Sequence, residues 1–119
     1  MWEYKAVVER VVDGDTIIAI LDLGFKTYRR ERIRFEGIDA PPINTQGGKI
    51  AKEVLEKIFR DSKYEIIIKT KKDKQGKYGR YLGRVFVNGI DLNQLLISKG
   101  LAKTYTKESR NGNKDKEGK

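Results

Sequence analysis

The pattern of this chain predicts a mainly β fold with helices (α+β), in which five short strands close an antiparallel barrel and two short helices accompany it. Three observations predict it. β-branched residues gather in short clusters bounded by turn signals, two other stretches place apolar residues at helical spacing, and the Pro41-Pro42 break separates the first three strands from the first helix.

Val7, Val8, Val11 and Val12 form the first cluster and Ile17, Ile18, Ile20 and Leu21 the second, so two strands are expected on either side of a turn at Asp13 and Gly14. A third strand is expected over Lys26 to Phe35, where Phe25, Tyr28 and Ile33 supply apolar positions among basic residues and "LDLGFK" closes the hairpin. After the two prolines, Ile50, Ala51, Val54, Leu55 and Ile58 recur on one face, with Lys52, Glu53, Glu56 and Lys57 on the other. This predicts a helix from about Gly48 to Arg60. "YEIIIK" from Tyr64 and "YLGRVFV" from Tyr81 read as the fourth and fifth strands, separated by a basic, Gly-containing loop and followed by a turn at Asn88 and Gly89. Asp91 with Gln94 resembles a capping box, Leu92, Leu95 and Leu96 share a face, and Gly100 stands where a second short helix would stop. Ile17, Val54, Leu95 and Leu96 are expected in the core.

Five strands with a helix after the third and another after the fifth match a barrel of the oligonucleotide-binding (OB) type. Residues 1–106 are expected to form this single domain. From Lys107 onward no apolar residue occurs, so residues 107–119 are expected to be a disordered basic tail.

Composition narrows the chemistry. Without Cys or His there is no thiolate or imidazole, which excludes zinc sites built on them, Cys nucleophiles, Ser-His-Asp triads and histidine bases. Catalysis would have to rest on carboxylates, arginines, lysines, hydroxyls or a hard metal. Formal charge is +9, from 26 Lys and Arg against 17 Asp and Glu, and it is concentrated. Lys69 to Arg84 holds seven basic residues against Asp73, and Lys26 to Arg34 holds five against Glu31. Such stretches suit either a solvated surface or a polyanion held through counterion release, most directly DNA or RNA met through its backbone and not base by base.

Three segments carry candidate chemistry: "VDGDT" at Val12 to Thr16, "IRFEGIDAPP" at Ile33 to Pro42, and "KYGRYLGR" at Lys77 to Arg84. Asp15 and Asp39 are hard oxygen ligands for a divalent cation, and Arg34 and Arg80 are planar forks that fit phosphate oxygens. Taken alone, Asp13 and Gly14 would be an ordinary turn, and Arg34 could be a surface residue pairing with Glu36 or Asp22.

In order and separation, these segments, with Gln46, Gly48 and "VNGIDLNQLLISKGLAK", resemble the staphylococcal nuclease-like (thermonuclease) family from about Val7 to Lys103. The resemblance implies a five-stranded OB-fold barrel that cleaves DNA or RNA with one bound Ca²⁺. By position, it assigns Asp15 and Asp39 as metal carboxylates and the main-chain carbonyl of Ala40 as a further ligand. Arg34 and Arg80 match the catalytic arginines at the scissile phosphate, and Lys77 and Tyr78 fall where nucleotide-contacting groups occur. Two departures stand out. Pro42 replaces the family's general-base Glu, and the long C-terminal helix common in relatives has no amphipathic counterpart here.

The expected function is therefore a Ca²⁺-dependent nuclease with activity reduced by Pro42. The competing function is a catalytically inactive OB-fold nucleic-acid-binding module, and a protein-binding scaffold is a third. Glu36 is the nearest carboxylate in sequence that could stand in for the lost base. The charged opening "MWEYKAVVERVV" lacks the apolar core of a secretory signal, and no run reaches membrane-spanning length. A cytoplasmic monomer with no membrane partner is expected, or a secreted one if a leader has been removed.

Overall fold

The computed structural model describes residues 2–70 and 81–105. Strands β1 (Trp2–Asp13), β2 (Thr16–Asp22) and β3 (Tyr28–Phe35) come first. The two-residue β4 (Ile38–Asp39), helix α1 (Gln46–Asp61) and β5 (Glu65–Thr70) follow, then β6 (Tyr81–Val87), β7 (Ile90–Asp91), α2 (Leu92–Ser98) and β8 (Lys103–Thr104). The five expected strands are β1, β2, β3, β5 and β6. The three short ones escaped sequence reading because two residues carry no period.

The strands run in the order β3-β2-β1-β5-β6, and pairing of β3 with β6 closes the ring. Four seams are antiparallel as expected, but the closing seam is parallel, with Ile33 opposite Tyr81 and Phe35 opposite Gly83. Geometry requires this. Directions cannot alternate all the way round a ring with an odd number of strands, so the barrel is mixed.

β1 begins well before the Val7 expected from its valines, because it bends to serve two neighbours. Trp2–Val7 pair with β5 and Ala6–Asp13 with β2. The register slips by one residue between Val8 and Arg10, making Glu9 a bulge. The slip resets the alternation, so that Ala6, Val8 and Val11 all point inward.

Ile17, Ala19, Ile33, Phe35, Ile68 and Val85 fill the barrel, closed off by Leu55 and Phe59 of α1 and Leu92 and Leu96 of α2. Val54, expected in the core, is only half-buried, because the inward stripe of α1 is Ala51, Leu55 and Phe59; Leu95 is half-buried too but packs against the core beside Leu92 and Leu96 of α2. Buried Asn93 makes good the ladder where β3 ends. Its Oδ1 accepts from Val85 N at 3.1 Å, while its Nδ2 donates to Glu36 O at 2.6 Å and Gly83 O at 3.3 Å.

Thr45 caps α1 and moors it to the proline pair. Its hydroxyl accepts from Gly48 N at 3.1 Å and donates to the Pro42 carbonyl at 2.6 Å. Gly48 is required here, since a Cβ would lie 2.0 Å from that carbonyl oxygen.

Candidate active site

The site forms where the β1–β2 turn meets the end of β3 and the segment after β4. Asp13 shapes the turn locally by accepting from the Asp15 amide at 3.1 Å. Gly14 permits the close approach that follows, because a Cβ there would stand 2.7 Å from both Ala40 Cβ and Ala51 Cβ. Asp15 is thereby buried against the chain that carries Asp39. Its Oδ2 accepts from the Ala40 amide at 2.9 Å and its Oδ1 from the Thr16 hydroxyl at 3.0 Å.

Arg34 lies between the two acids, with Nη1 3.2 Å from Asp15 Oδ2 and Nη2 3.2 Å from Asp39 Oδ1. Nη1 also donates to the carbonyls of Ile38 at 2.9 Å and Phe35 at 3.3 Å. The Arg34 side chain is 11% exposed and Asp39 57%, so the guanidinium is fixed from below and opens on the Asp39 side. Among the described residues, three of its five N–H donors are engaged in hydrogen bonds, leaving Nε–H and one on Nη2. The Tyr105 ring, brought in after β8, lies 5.7 Å from the guanidinium carbon.

Burial, with Asp15 beside it, pushes the Asp13 carboxyl up to about 6. Three acids on one short stretch of surface with one arginine leave surplus negative charge, which a cation would relieve. The oxygen donors in place are the Asp15 and Asp39 carboxylates, both hard. They suit a divalent cation that keeps several waters, and among the described residues no three acidic side chains form a closed cage.

Asp15, Arg34 and Asp39 thus come together, with Ala40 joined to them through its amide on Asp15. Arg34 pairs with Asp15 and Asp39, and not with Glu36 or Asp22. Glu36 lies past the end of β3, its amide and carbonyl committed to Gly83 and Asn93. Arg80, Lys77, Tyr78 and the tail lie outside the described residues. Asp13 and Tyr105 were missed. The Asp-Gly-Asp spacing was a visible signal for the first, and nothing local marked the second.

A family model described as staphylococcal nuclease homologue matches residues 32–118, which include Arg34 and Asp39 but not Asp15. The chain is 34% identical over 115 residues to "Endonuclease YhcR" of Bacillus subtilis (strain 168), a match covering 87% of this chain and 9% of that protein. It is 32% identical to "Probable staphylococcal-like nuclease CAN1" of Oryza sativa subsp. japonica, covering 66% of this chain and 22% of the relative. It is 31% identical to "Staphylococcal-like nuclease CAN1" of Arabidopsis thaliana, covering 65% and 23%. The chain thus spans less than a quarter of each of these relatives.

Proposed function

The chain belongs to the staphylococcal nuclease homologue family, and on that premise we propose that it is a Ca²⁺-dependent nuclease hydrolysing phosphodiester bonds of DNA or RNA, at a rate reduced by Pro42. The observation that carries this is Arg34 held between Asp15 and Asp39 with two N–H groups to spare among the described residues. A guanidinium already fixed by carbonyls and carboxylates loses little freedom when a phosphate arrives. Arg34 binds the phosphoryl oxygens and interacts more strongly as negative charge builds on them in the transition state.

Asp15, Asp39 and the Ala40 carbonyl would hold the Ca²⁺, which supplies charge neutralisation at the scissile phosphate when bound. By resemblance, Arg80 adds a second guanidinium, and Lys77 and Tyr78 contact the nucleotide. Pro42 has no proton acceptor, and general-base catalysis is worth on the order of 10² to 10⁴ in rate. Turnover is therefore slow, with positioning and charge neutralisation intact.

Calorimetric titration with Ca²⁺ and cleavage of a labelled oligonucleotide by wild type, Asp15→Ala and Pro42→Glu test this. Pro42→Glu is expected to raise the rate on the order of 10²-fold, and Asp15→Ala to remove both Ca²⁺ binding and cleavage. Intact substrate after long incubation with Ca²⁺ at high protein concentration overturns the proposal. Pro42 itself favours the second reading, a non-catalytic nucleic-acid-binding module. That reading wins if no Ca²⁺ binds while oligonucleotide does, with affinity falling steeply in salt.

A further inference from the structure

β3 alternates strictly. Ile33 and Phe35 point into the barrel, so Tyr28, Arg30, Arg32 and Arg34 share the outer face, each about 6.7 Å from the next at the normal strand rise. Neighbouring strands broaden this face. Ile18, outside the core cluster, sits in register between Arg10 of β1 and Arg32 of β3, and Ile20 sits between Val7 and Arg30.

The row begins inside the site and ends in the open. The Arg34 side chain is 11% exposed and the Arg30 side chain 58%, while Tyr28 is 62% exposed. Arg30 is kept on the face by Glu9, whose carboxylate accepts from Nε and Nη2 at 2.8 to 3.0 Å; the β1 bulge supplies that acid. Arg32 and Arg10 are exposed, and no ion pair or hydrogen bond engages either guanidinium among the described residues.

We infer that this face is the track for a single strand of DNA or RNA leading away from the scissile phosphate. Arg34 holds the reacting phosphate, Arg32 and Arg30 take successive phosphates, Arg10 flanks them, and Tyr28 stacks an unpaired base at the far end. The assignment rests on the nuclease reading of Arg34 and extends it to the substrate's path. A ladder of guanidinium groups at regular spacing matches a repeating polyanion, and an aromatic ring at its end suits any base. Stacking on Tyr28 requires an unpaired base, so the track takes a single strand in preference to a duplex.

Fluorescence anisotropy with end-labelled oligonucleotides, in EDTA so that nothing is cleaved, tests the track apart from the nuclease activity. Arg32→Ala is expected to weaken binding and to reduce the slope of log affinity against log salt by about 0.7. Tyr28→Ala is expected to weaken binding about tenfold, with the salt slope unchanged. Lys57→Ala on α1 removes the same charge off the track and is expected to leave the slope as it is. Affinity should rise with strand length and level off once all four positions are covered.

Unchanged binding by Arg32→Ala and Tyr28→Ala overturns the track, even if wild type binds and cleaves. So does equal affinity for a duplex of the same length, or equal loss from Lys57→Ala and Arg32→Ala. If wild type binds and these variants behave as expected but nothing is cleaved with Ca²⁺, the nuclease reading fails and the track stands.

Discussion

β2 is entered and left through two turns built on the same local bond, yet only one of them belongs to a site. At the entry, Asp13 Oδ1 accepts from the Asp15 amide at 3.1 Å; at the exit, Asp22 Oδ1 accepts from the Gly24 amide at 2.8 Å. The entry turn is pressed against Ala40 and Ala51, which buries Asp15 beside Arg34. The exit turn stands in solvent, with Phe25 fully exposed and nothing within 4 Å of a Cβ on Gly24. Turn chemistry bends the chain in both places. Enclosure by the rest of the fold converts one bend into a binding geometry.

The sharpest way to break that contrast is Asp15→Ala, which takes from the buried Arg34 its buried carboxylate and leaves it the exposed Asp39 and two carbonyls. Loss of one partner of a buried pair is expected to cost about 3 kcal/mol, measured by urea denaturation. Gly14→Ala comes next. Its new methyl would have to displace Ala40 or α1, and overpacking of this kind costs about 2 kcal/mol. Gly24→Ala meets no neighbour and suffers only from its φ of +86°. About 1 kcal/mol is expected there, and a cost equal to that of Gly14→Ala would erase the distinction between the turns.

A pH series sharpens the electrostatic side. Burial and the neighbouring Asp15 push the folded Asp13 carboxyl up to about 6, above the ordinary aspartate range. The native state therefore binds its proton more tightly than the unfolded chain does. This group favours folding most at pH below 4, and its contribution is lost as pH rises towards 6 and beyond. In metal-free protein, Asp13→Asn is expected to raise the melting temperature at pH 8 and to have little effect at pH 4. A drop at pH 8 would show that burial and Asp15 do not strain this carboxyl.

Much of the barrel was legible because β-branched clusters and one helical stripe repeat with clear periods. What stayed hidden was carried by single residues acting across long sequence separations. Asn93 joins Glu36 to β6, Glu9 bulges out of β1 to meet Arg30, and the closing β3–β6 seam depends on strand count, not on any local pattern. At the site, motif spacing brought together Asp15, Arg34 and Asp39. The ion pairs among them became visible only once the turn and the end of β3 were adjacent in space. Ala40 illustrates the limit well: its carbonyl was the expected donor, whereas the amide is the group seen to engage Asp15.

The mooring of α1 makes residue 42 interchangeable. Thr45 grips the main-chain oxygen there, not the pyrrolidine ring, and the ring itself faces solvent. That side chain can thus be exchanged without moving the start of the helix. The same freedom makes the position a ready socket for installing an acid, so that catalytic gain could be engineered with little penalty to folding.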